Sequence, residues 1–507
     1  MNHINNNYRA DIDGLRSFAV LSVVAFHAFP KFISSGFIGV DIFFVISGYL
    51  ITLKLCNNFV LRRFEILDFF CRRILRIVPS LVVVLTACVL VGWVTLFSDE
   101  FKQLGKHIAS SSVFITNIIL WNEVGYFDVK SDVKPLLHLW SLGVEVQFYI
   151  FWPLILALAF KLKIDLLLVS LFIAVISFFL NLYLLVGDLS AAFYLPTTRM
   201  WEFIFGSSIA IVNIKQSNGL LNRLIIKLEN SLNKFIPICD ALSVIGFLLL
   251  LYGFVTINED TLHPGKSTLV PILGCVLIIY AGKGAWFNRV VLSNRFFVFF
   301  GLISYPLYLW HWPIFSYARI VEGKVPSLEM RILLILISIL LAWLTFKYIE
   351  EPYKFSHNKK KISSILLSQL IILCGIGLYL YCNNGISSRN INENNKFTQH
   401  LSWSYWNDEL CAKKFNMSPC QNSGISPDVM IIGDSHANHL YPGLVRSLGS
   451  NVSILAAGTC APLSGISIVP LKNKEFNPCA TNFFLNANLK ILKENPSVKY
   501  VVLSAFW

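Results

Sequence analysis

Eleven stretches of this 507-residue chain are apolar over a length that can cross a bilayer, at about 14–30, 37–53, 77–97, 138–160, 164–186, 197–214, 236–256, 268–282, 296–318, 330–349 and 363–382. An α-helix rises 1.5 Å per residue, so roughly 17–25 residues span the hydrocarbon layer. No water reaches that layer to satisfy backbone N–H and C=O groups, which confines such runs to helices. Composition points the same way: 55% of side chains are apolar and 14% charged, too few solvated groups for an ordinary globular protein. The predicted fold is a polytopic α-helical membrane bundle of about ten helices plus one linking helix, followed by a partial α/β domain.

Lys and Arg gather in short cytoplasmic loops of membrane proteins, so their distribution tests the count and orients the chain. With the N-terminus inside, Lys54, Arg62, Arg63, Arg72 and Arg73 share one inner loop, and Lys215, Arg223, Lys227 and Lys234 another. Lys283, Arg289, Arg295 and Lys359 to Lys361 fall in two more. The outer segment 98–135 balances its lysines with Asp99, Glu100, Glu123, Asp128 and Asp132. The formal charge of +13 is therefore mostly topology, and no nucleic-acid partner is expected. An odd number of crossings leaves the C-terminal tail outside. The start, "MNHINNNYRADIDGLRS", carries acids and no small-residue cleavage site, so it reads as an uncleaved first helix.

Composition divides the chain into a membrane domain at 1–355, an eleventh helix with an Asn- and Ser-rich linker at 356–400, and a soluble part at 401–507. In the last, "DVMIIG" (428–433), "VSILAAG" (452–458) and "VKYVVLSAF" (498–506) read as buried parallel strands, with helical stretches near 437–448 and 480–494. Four of the eleven cysteines lie there, and an oxidising exterior suggests pairing Cys411 with Cys420 and Cys460 with Cys479; free buried thiols are the alternative.

Ionisable groups inside spans are expensive, so they mark where chemistry is to be sought. His27 near the outer end of the first span and Asp41 near the start of the second lie at similar depth. A carboxylate meeting the imidazole there makes a general base; a carbonyl partner for His27 and a helix-capping role for Asp41 are the structural alternative. "HLWSLGVEVQFY" puts His138 and Glu145 two turns apart on one face, and "TTRMWEFIFG" puts Arg199 three residues before Glu202, both again toward the outer leaflet. A structural ion pair is the alternative for Arg199 and Glu202. His311, alone between Pro306 and Pro313, reads as structural. At the inner mouth, "CRRILRIVPS" sets Arg73 and Arg76 three apart; forked guanidinium groups so spaced suit phosphates, and topology alone also explains them.

The ordered motifs "YRADIDGLRSFAVLSVVAFH" (8–27), "GFIGVDIFFVISGYLI" (36–51), "RRILRIVP" (72–79), "HLWSLGVEVQFY" (138–149), "TRMWEFIFG" (198–206) and "ISYPLYLWHWP" (303–313) resemble the acyltransferase-3 family of bacterial integral-membrane acyltransferases, fused to an SGNH-hydrolase-like domain as in O-antigen acetylases. The resemblance implies a cytoplasmic acyl-coenzyme A donor, usually acetyl-coenzyme A, and an acceptor hydroxyl on an exported glycan such as O-antigen, in some cases lipid-linked. It implies no metal. A peptidoglycan or exopolysaccharide acceptor, or a glycan or lipid transporter, is the alternative. By position the family's first-helix histidine falls on His27, its first-helix arginine on Arg16, and its donor-linked Arg-x-x-Arg pair on Arg73 and Arg76. Glu145 is followed by Val146 where the family commonly has a second Glu. The expected mechanism has His27, oriented by Asp41, as base or acyl carrier, with Arg199 or a neighbour stabilising the oxyanion. The place implied is a bacterial inner membrane, with the tail periplasmic.

In the tail, Gly433, Asp434 and Ser435 match the first SGNH block, with Ser435 as candidate nucleophile, and "AAGTCAPL" (456–463) is a weaker second block. The family's Asp-x-x-His has no counterpart after Ser435, where no aspartate occurs and the histidines are His436 and His439. An esterase working through Ser435 is therefore not expected from these residues alone; the chain reads as a fragment or a natural truncation.

Overall fold

The computed structural model of the chain describes residues 8–61, 65–124, 131–214, 238–258, 260–354, 358–386 and 388–389, and in the C-terminal part 420–421, 426–433, 440, 444, 447, 452–456, 489–490 and 492–504. The chain divides into two compact units, Met1–Ile391 and Asn392–Trp507.

The first unit is a helical bundle of α1 (Ala10–Ala28), α2 (Gly39–Val60), α3 (Ile66–Thr95), α4 (Ser98–Ser112), α5 (Thr116–Glu123), α6 (Leu139–Lys161), α7 (Leu166–Gly187), α8 (Leu189–Tyr194), α9 (Pro196–Asn213), α10 (Ile238–Thr256), α11 (Leu269–Ala281), α12 (Arg295–Leu302), α13 (Ser304–Glu322), α14 (Leu328–Thr345), α15 (Glu351–Lys354) and α16 (Lys359–Cys382). Among the described residues the apolar runs at 14–382 named above fall largely on helices. Among the described residues seven helices are long and apolar enough to cross a membrane. The run at 296–318 is divided between α12 and α13 around Ile303. Pro306, in the first turn of α13, has no N–H to give the Leu302 carbonyl, so the chain restarts there as a new helix.

Two packing devices position the polar residues. Helices α2 and α9 cross where each lacks a side chain: a Cβ on Gly48 would enter the Phe203 carbonyl, and one on Gly206 the Val45 carbonyl. The contact is fastened by Thr52 Oγ1 donating to Ser207 Oγ at 2.9 Å and by Trp152 Nε1 donating to Thr52 Oγ1 at 2.8 Å. Asp41 and Arg199 each precede their crossing glycine by seven residues, two helical turns, so the crossing brings them face to face.

The second device corrects the reading of 98–135 as an outer loop. Its helix α4 packs along α16, with Gly105 against Gly377 and Lys102 Nζ bonded to Asn384 Oδ1 at 2.8 Å, so the segment dips into the bundle and α5 returns. Backbone that turns inside a bundle needs polar partners. Gln147 Nε2 donates to the Phe114 carbonyl and to Asn117 Oδ1, both at 2.9 Å, and Asn117 Nδ2 donates to the Tyr194 carbonyl at 3.0 Å. At the far end of the hairpin Glu123 draws in Lys106 Nζ at 2.8 Å, His107 Nε2 at 3.0 Å and Lys134 Nζ at 3.0 Å.

In the second unit the described strands form one sheet in the order β1 (Cys420–Gln421), β3 (Val452–Ala456), β2 (Val429–Gly433), β4 (Tyr500–Ser504). β2 pairs in parallel with both β3 and β4, as the apolar runs predict. β2 is buried throughout, whereas β4 lies at the sheet edge and is largely exposed, against the expectation of a buried strand. Gly433 ends β2, at the carboxyl edge of a parallel sheet where ligands of α/β folds bind. Ser435, Asp434, His436, the second block at 457–463, Cys411, Cys460 and Cys479 lie outside the described residues, as do most of the two expected helical stretches and the side chain of Cys420.

Candidate active site

His27 occupies the last turn of α1, where helix carbonyls have no intrahelical donor. Arg319 Nη2 donates to the His27 carbonyl and Arg331 Nη1 to the Ala28 carbonyl, each at 3.0 Å, and Arg319 Nη1 lies 3.2 Å from Asp132. The ring of His27 stacks on that of His311, with Nδ1 3.0 Å from His311 Nε2, and meets the edge of Trp312 at 4.4 Å. His311 Nδ1 is 3.2 Å from the Leu307 carbonyl, which can only accept. In the neutral pair His311 therefore carries its proton on Nδ1 and accepts on Nε2. His27 then donates from Nδ1, which leaves its Nε2 with a lone pair, the form a general base requires.

His27 does not meet Asp41. Equal depth was the basis for pairing them, and depth does not fix which way a side chain points around its helix. Asp41 faces α9, where Oδ1 accepts from Arg199 Nη2 at 2.9 Å. Arg199 Nη1 lies 3.0 Å from Glu202, and His263 Nε2 lies 3.3 Å from the second Asp41 oxygen. His263 comes from the connection after α10, and its Nδ1 is 3.2 Å from Thr268 Oγ1. Arg199, Asp41 and Glu202 are all 0% exposed, and Phe44, Trp140 and Phe193 surround the guanidinium at 5.4–5.6 Å. This cluster ties α2, α9 and the 263 segment together, and Arg199 and His263 also border the cavity beside His27.

A cavity of about 220 Å³ opens beside His27, lined also by His138, His263, Trp312, Tyr308 and Arg199. His138 is buried there with neither ring nitrogen in a hydrogen bond among the described residues. Glu145 is not its partner and does not share this cavity. It lies two turns further along α6, accepts from Ser47 Oγ at 2.5 Å and from the Tyr149 hydroxyl, and lines a narrower cavity of about 80 Å³. Arg16, Arg73 and Arg76 line that cavity too, so Glu145 belongs with the arginines rather than with the histidines.

The same three arginines face a third cavity of about 350 Å³, together with Lys54, Lys359 and Glu350. Arg16 Nη1 is 3.3 Å from Asp13, and the Arg73 guanidinium lies 5.6 Å from the Phe69 ring centre and 5.7 Å from that of Tyr149. Arg72, beside them in sequence, is paired with Asp68. The cavities share walls: Val40 and Tyr308 belong to the first and second, Arg16, Leu50, Arg73 and Arg76 to the second and third. From the arginines to His27 the adjoining cavities measure about 350, 80 and 220 Å³, an hourglass in volume.

Sequence reasoning did not select His311 as a partner of His27, nor His263, Arg319 or Arg331. Two of these had a visible signal: Arg319 and Arg331 flank a connection on the presumed outer side, where cations are scarce and one present needs a local acceptor.

A half-buried histidine pair beside a cavity in a helical bundle, with arginines around further cavities, is the outline of the site, and comparison places the chain in a family. The chain belongs to the acyltransferase family whose domain model matches residues 9–347; a second model, an SGNH domain found fused to such domains, matches residues 404–507. A Bacillus subtilis (strain 168) protein provisionally named peptidoglycan O-acetyltransferase YrhL is 33% identical over 69% of this chain and 55% of its own length. The O-acetyltransferase OatA of Staphylococcus aureus (strain MRSA252) is 28% identical over 72% of this chain and 61% of its own. The chain thus spans under two thirds of the length of the curated relatives it matches. No solved structure matches it.

Proposed function

We propose that the protein is a membrane O-acyltransferase that takes an acetyl group from acetyl-coenzyme A at the arginine end of the hourglass and delivers it to a hydroxyl of an exported glycan at the His27 end. The observation that carries this reading is the run of three cavities joining Arg16, Arg73 and Arg76 to His27. By the distribution of Lys and Arg the arginine end is cytoplasmic, and the His27 end and the C-terminal unit are on the opposite side of a bacterial inner membrane.

The dimensions agree. Arg16 and His27 are eleven residues apart on one helix, about 16 Å at 1.5 Å per residue. The pantetheine arm between the coenzyme pyrophosphate and its sulfur is about thirteen bonds long; at roughly 1.2 Å per bond for an extended chain it reaches about 15 Å. Phosphates held by Arg73 and Arg76 thus leave the thioester within reach of His27. His27 Nε2 takes the proton of the acceptor hydroxyl while its oxygen attacks the thioester carbonyl. As the carbon–sulfur bond breaks, the electron pair leaves on sulfur, and the proton on His27 passes to the thiolate. Aromatic rings of Trp140, Tyr194 and Trp312 around the wider cavity suit the apolar face of a sugar. The Bacillus subtilis relative named for peptidoglycan O-acetylation favours peptidoglycan as the acceptor, with an O-antigen polysaccharide the other candidate.

Inverted vesicles carrying the protein and labelled acetyl-coenzyme A provide the test, combined with mass and NMR comparison of surface glycans with and without the gene. Label should enter glycan in a manner that His27→Ala abolishes. Label that stays on the coenzyme in the presence of acceptor, or a His27→Ala variant of normal activity, refutes the proposal.

A further inference from the structure

The narrow middle of the hourglass has a use beyond joining its ends. On one wall α13 presents Tyr305 and Tyr308, three residues apart on one face. Neither ring is free to swing: the Tyr305 hydroxyl donates to the Ile77 carbonyl at 2.8 Å and the Tyr308 hydroxyl to the His138 carbonyl at 2.9 Å, with Ser141 Oγ 2.7 Å away. Phe43 braces Tyr308 edge-on at 6.3 Å. On the facing wall α2 presents Val40, Phe43, Ile46, Ser47 and Leu50. Val40 and Tyr308 line both the 80 Å³ middle and the 220 Å³ His27 cavity, so they border the place where the two adjoin. Valine in a helix is held to essentially one rotamer. A tethered ring and a single-rotamer β-branched side chain at such a border resist being pushed aside.

We propose that the collar of Val40 and Tyr308 selects the acyl group by cross-section, admitting unbranched short acyl thioesters to His27 and refusing branched ones. The inference rests on the donor entering from the arginine end, as proposed above. An acyl group arriving that way leads the thioester through the collar, and the thin cysteamine part of the arm follows. A straight acyl group is no wider than that arm, whereas a branch at the carbon next to the carbonyl adds a methyl group at the aperture. One extra methyl in a tight apolar site discriminates by about 10- to 200-fold.

The test is competition between equimolar acetyl- and isobutyryl-coenzyme A in vesicles carrying the full chain, with products resolved by mass. Wild type should transfer acetyl almost exclusively. Val40→Ala should raise the isobutyryl-to-acetyl product ratio about 10-fold or more, and Val40→Phe should depress both products. Tyr308→Phe keeps the ring but cuts its tether, and should raise the ratio less than Val40→Ala. The product ratio is independent of how much protein folds, so loss of yield in a variant does not mimic the effect. Wild type that transfers acetyl with a ratio unmoved by Val40→Ala overturns the collar; wild type that transfers neither group overturns the functional reading beneath it.

Discussion

The clearest consequence of the geometry concerns His311, which no motif argument selected. His27 Nδ1 lies 3.0 Å from His311 Nε2, and His311 is itself fixed by the Leu307 carbonyl at 3.2 Å. When His27 Nε2 takes the acceptor proton, the ring becomes an imidazolium, and its Nδ1–H bond to His311 becomes charge-assisted. A neutral hydrogen bond contributes about 0.5–1.5 kcal/mol and one to a charged group about 1.5–3 kcal/mol. Only the gain between the two forms, about 1–1.5 kcal/mol, acts on kcat, and at 1.36 kcal/mol per factor of ten its loss corresponds to a fall of about 5- to 13-fold. His311→Ala should therefore lower kcat by that much and leave KM for acetyl-coenzyme A nearly unchanged, since His311 is far from the arginine end. His311→Gln, whose Oε1 can accept from the same Nδ1–H, should restore part of the loss. The assay is vesicle transfer at varied acetyl-coenzyme A, normalised to folded protein by size-exclusion in detergent. A His311→Ala variant of full kcat refutes the argument, as does a loss that falls entirely on KM.

Other positions separate the remaining roles. Arg76→Ala should raise KM for acetyl-coenzyme A about 10- to 100-fold with a smaller change in kcat, and should flatten the salt dependence of KM, both read from initial rates. Asp41→Asn leaves the fully buried Arg199 with a weakened partner and should cost about 3–5 kcal/mol, read as lost folded yield and a lower Tm in detergent. Gly48→Val pushes α2 off the Phe203 carbonyl and should cost about 1–3 kcal/mol or more by the same measurement. Burial alone would raise the Glu123 carboxyl, but His107, Lys106 and Lys134 outweigh it and hold the group well below the ordinary carboxylate range. Its depressed value means that the stabilisation is complete above the unfolded value of about 4.3 and fades as pH falls below it. Glu123→Gln should thus lower Tm at pH 8, by about 2 kcal/mol in stability, and by less on acidification below about pH 4.

The helices were legible because hydrocarbon thickness sets their length, and that rule needs no tertiary information. The α4–α5 hairpin was not legible for the same reason. Ser98–Ser112 carries charged and hydroxyl residues on a helix whose buried face is Phe101, Leu104, Gly105 and Ile108, so an average over the segment reads as a loop. The site was legible by type and not by pairing. Expense inside a membrane marked His27, Asp41, Glu145, Arg199 and Glu202, yet rise along a helix gives depth and not direction. The direction of Asp41 was readable from a feature passed over: Gly48, two turns on, marks the face of α2 that packs, and Gly206 marks the same face of α9 below Arg199. His311 and His263 had no such marker, since His27 and Asp41, the residues they meet, lie more than two hundred residues away.

The buried charges and the narrow middle of the hourglass are not independent. Arg199, Asp41 and Glu202 have no solvent to offset their burial, and replacing such groups with apolar ones is often neutral for stability alone. Their position supplies a second reason to hold them. Val40 directly precedes Asp41 in the first turn of α2, so the guanidinium that fixes Asp41 also fixes one side of the collar. The opposite side is fixed by the Tyr308 hydroxyl on the His138 carbonyl, at the entry to α6. On the proposed reading the aperture is set by four helices, α2, α6, α9 and α13, and two polar anchors rather than by apolar packing alone. A loosening of Asp41 that leaves the protein folded, such as Asp41→Glu, should therefore blur acyl selectivity before it slows acetyl transfer. The reverse order would mean that Arg199 acts on the reacting atoms directly.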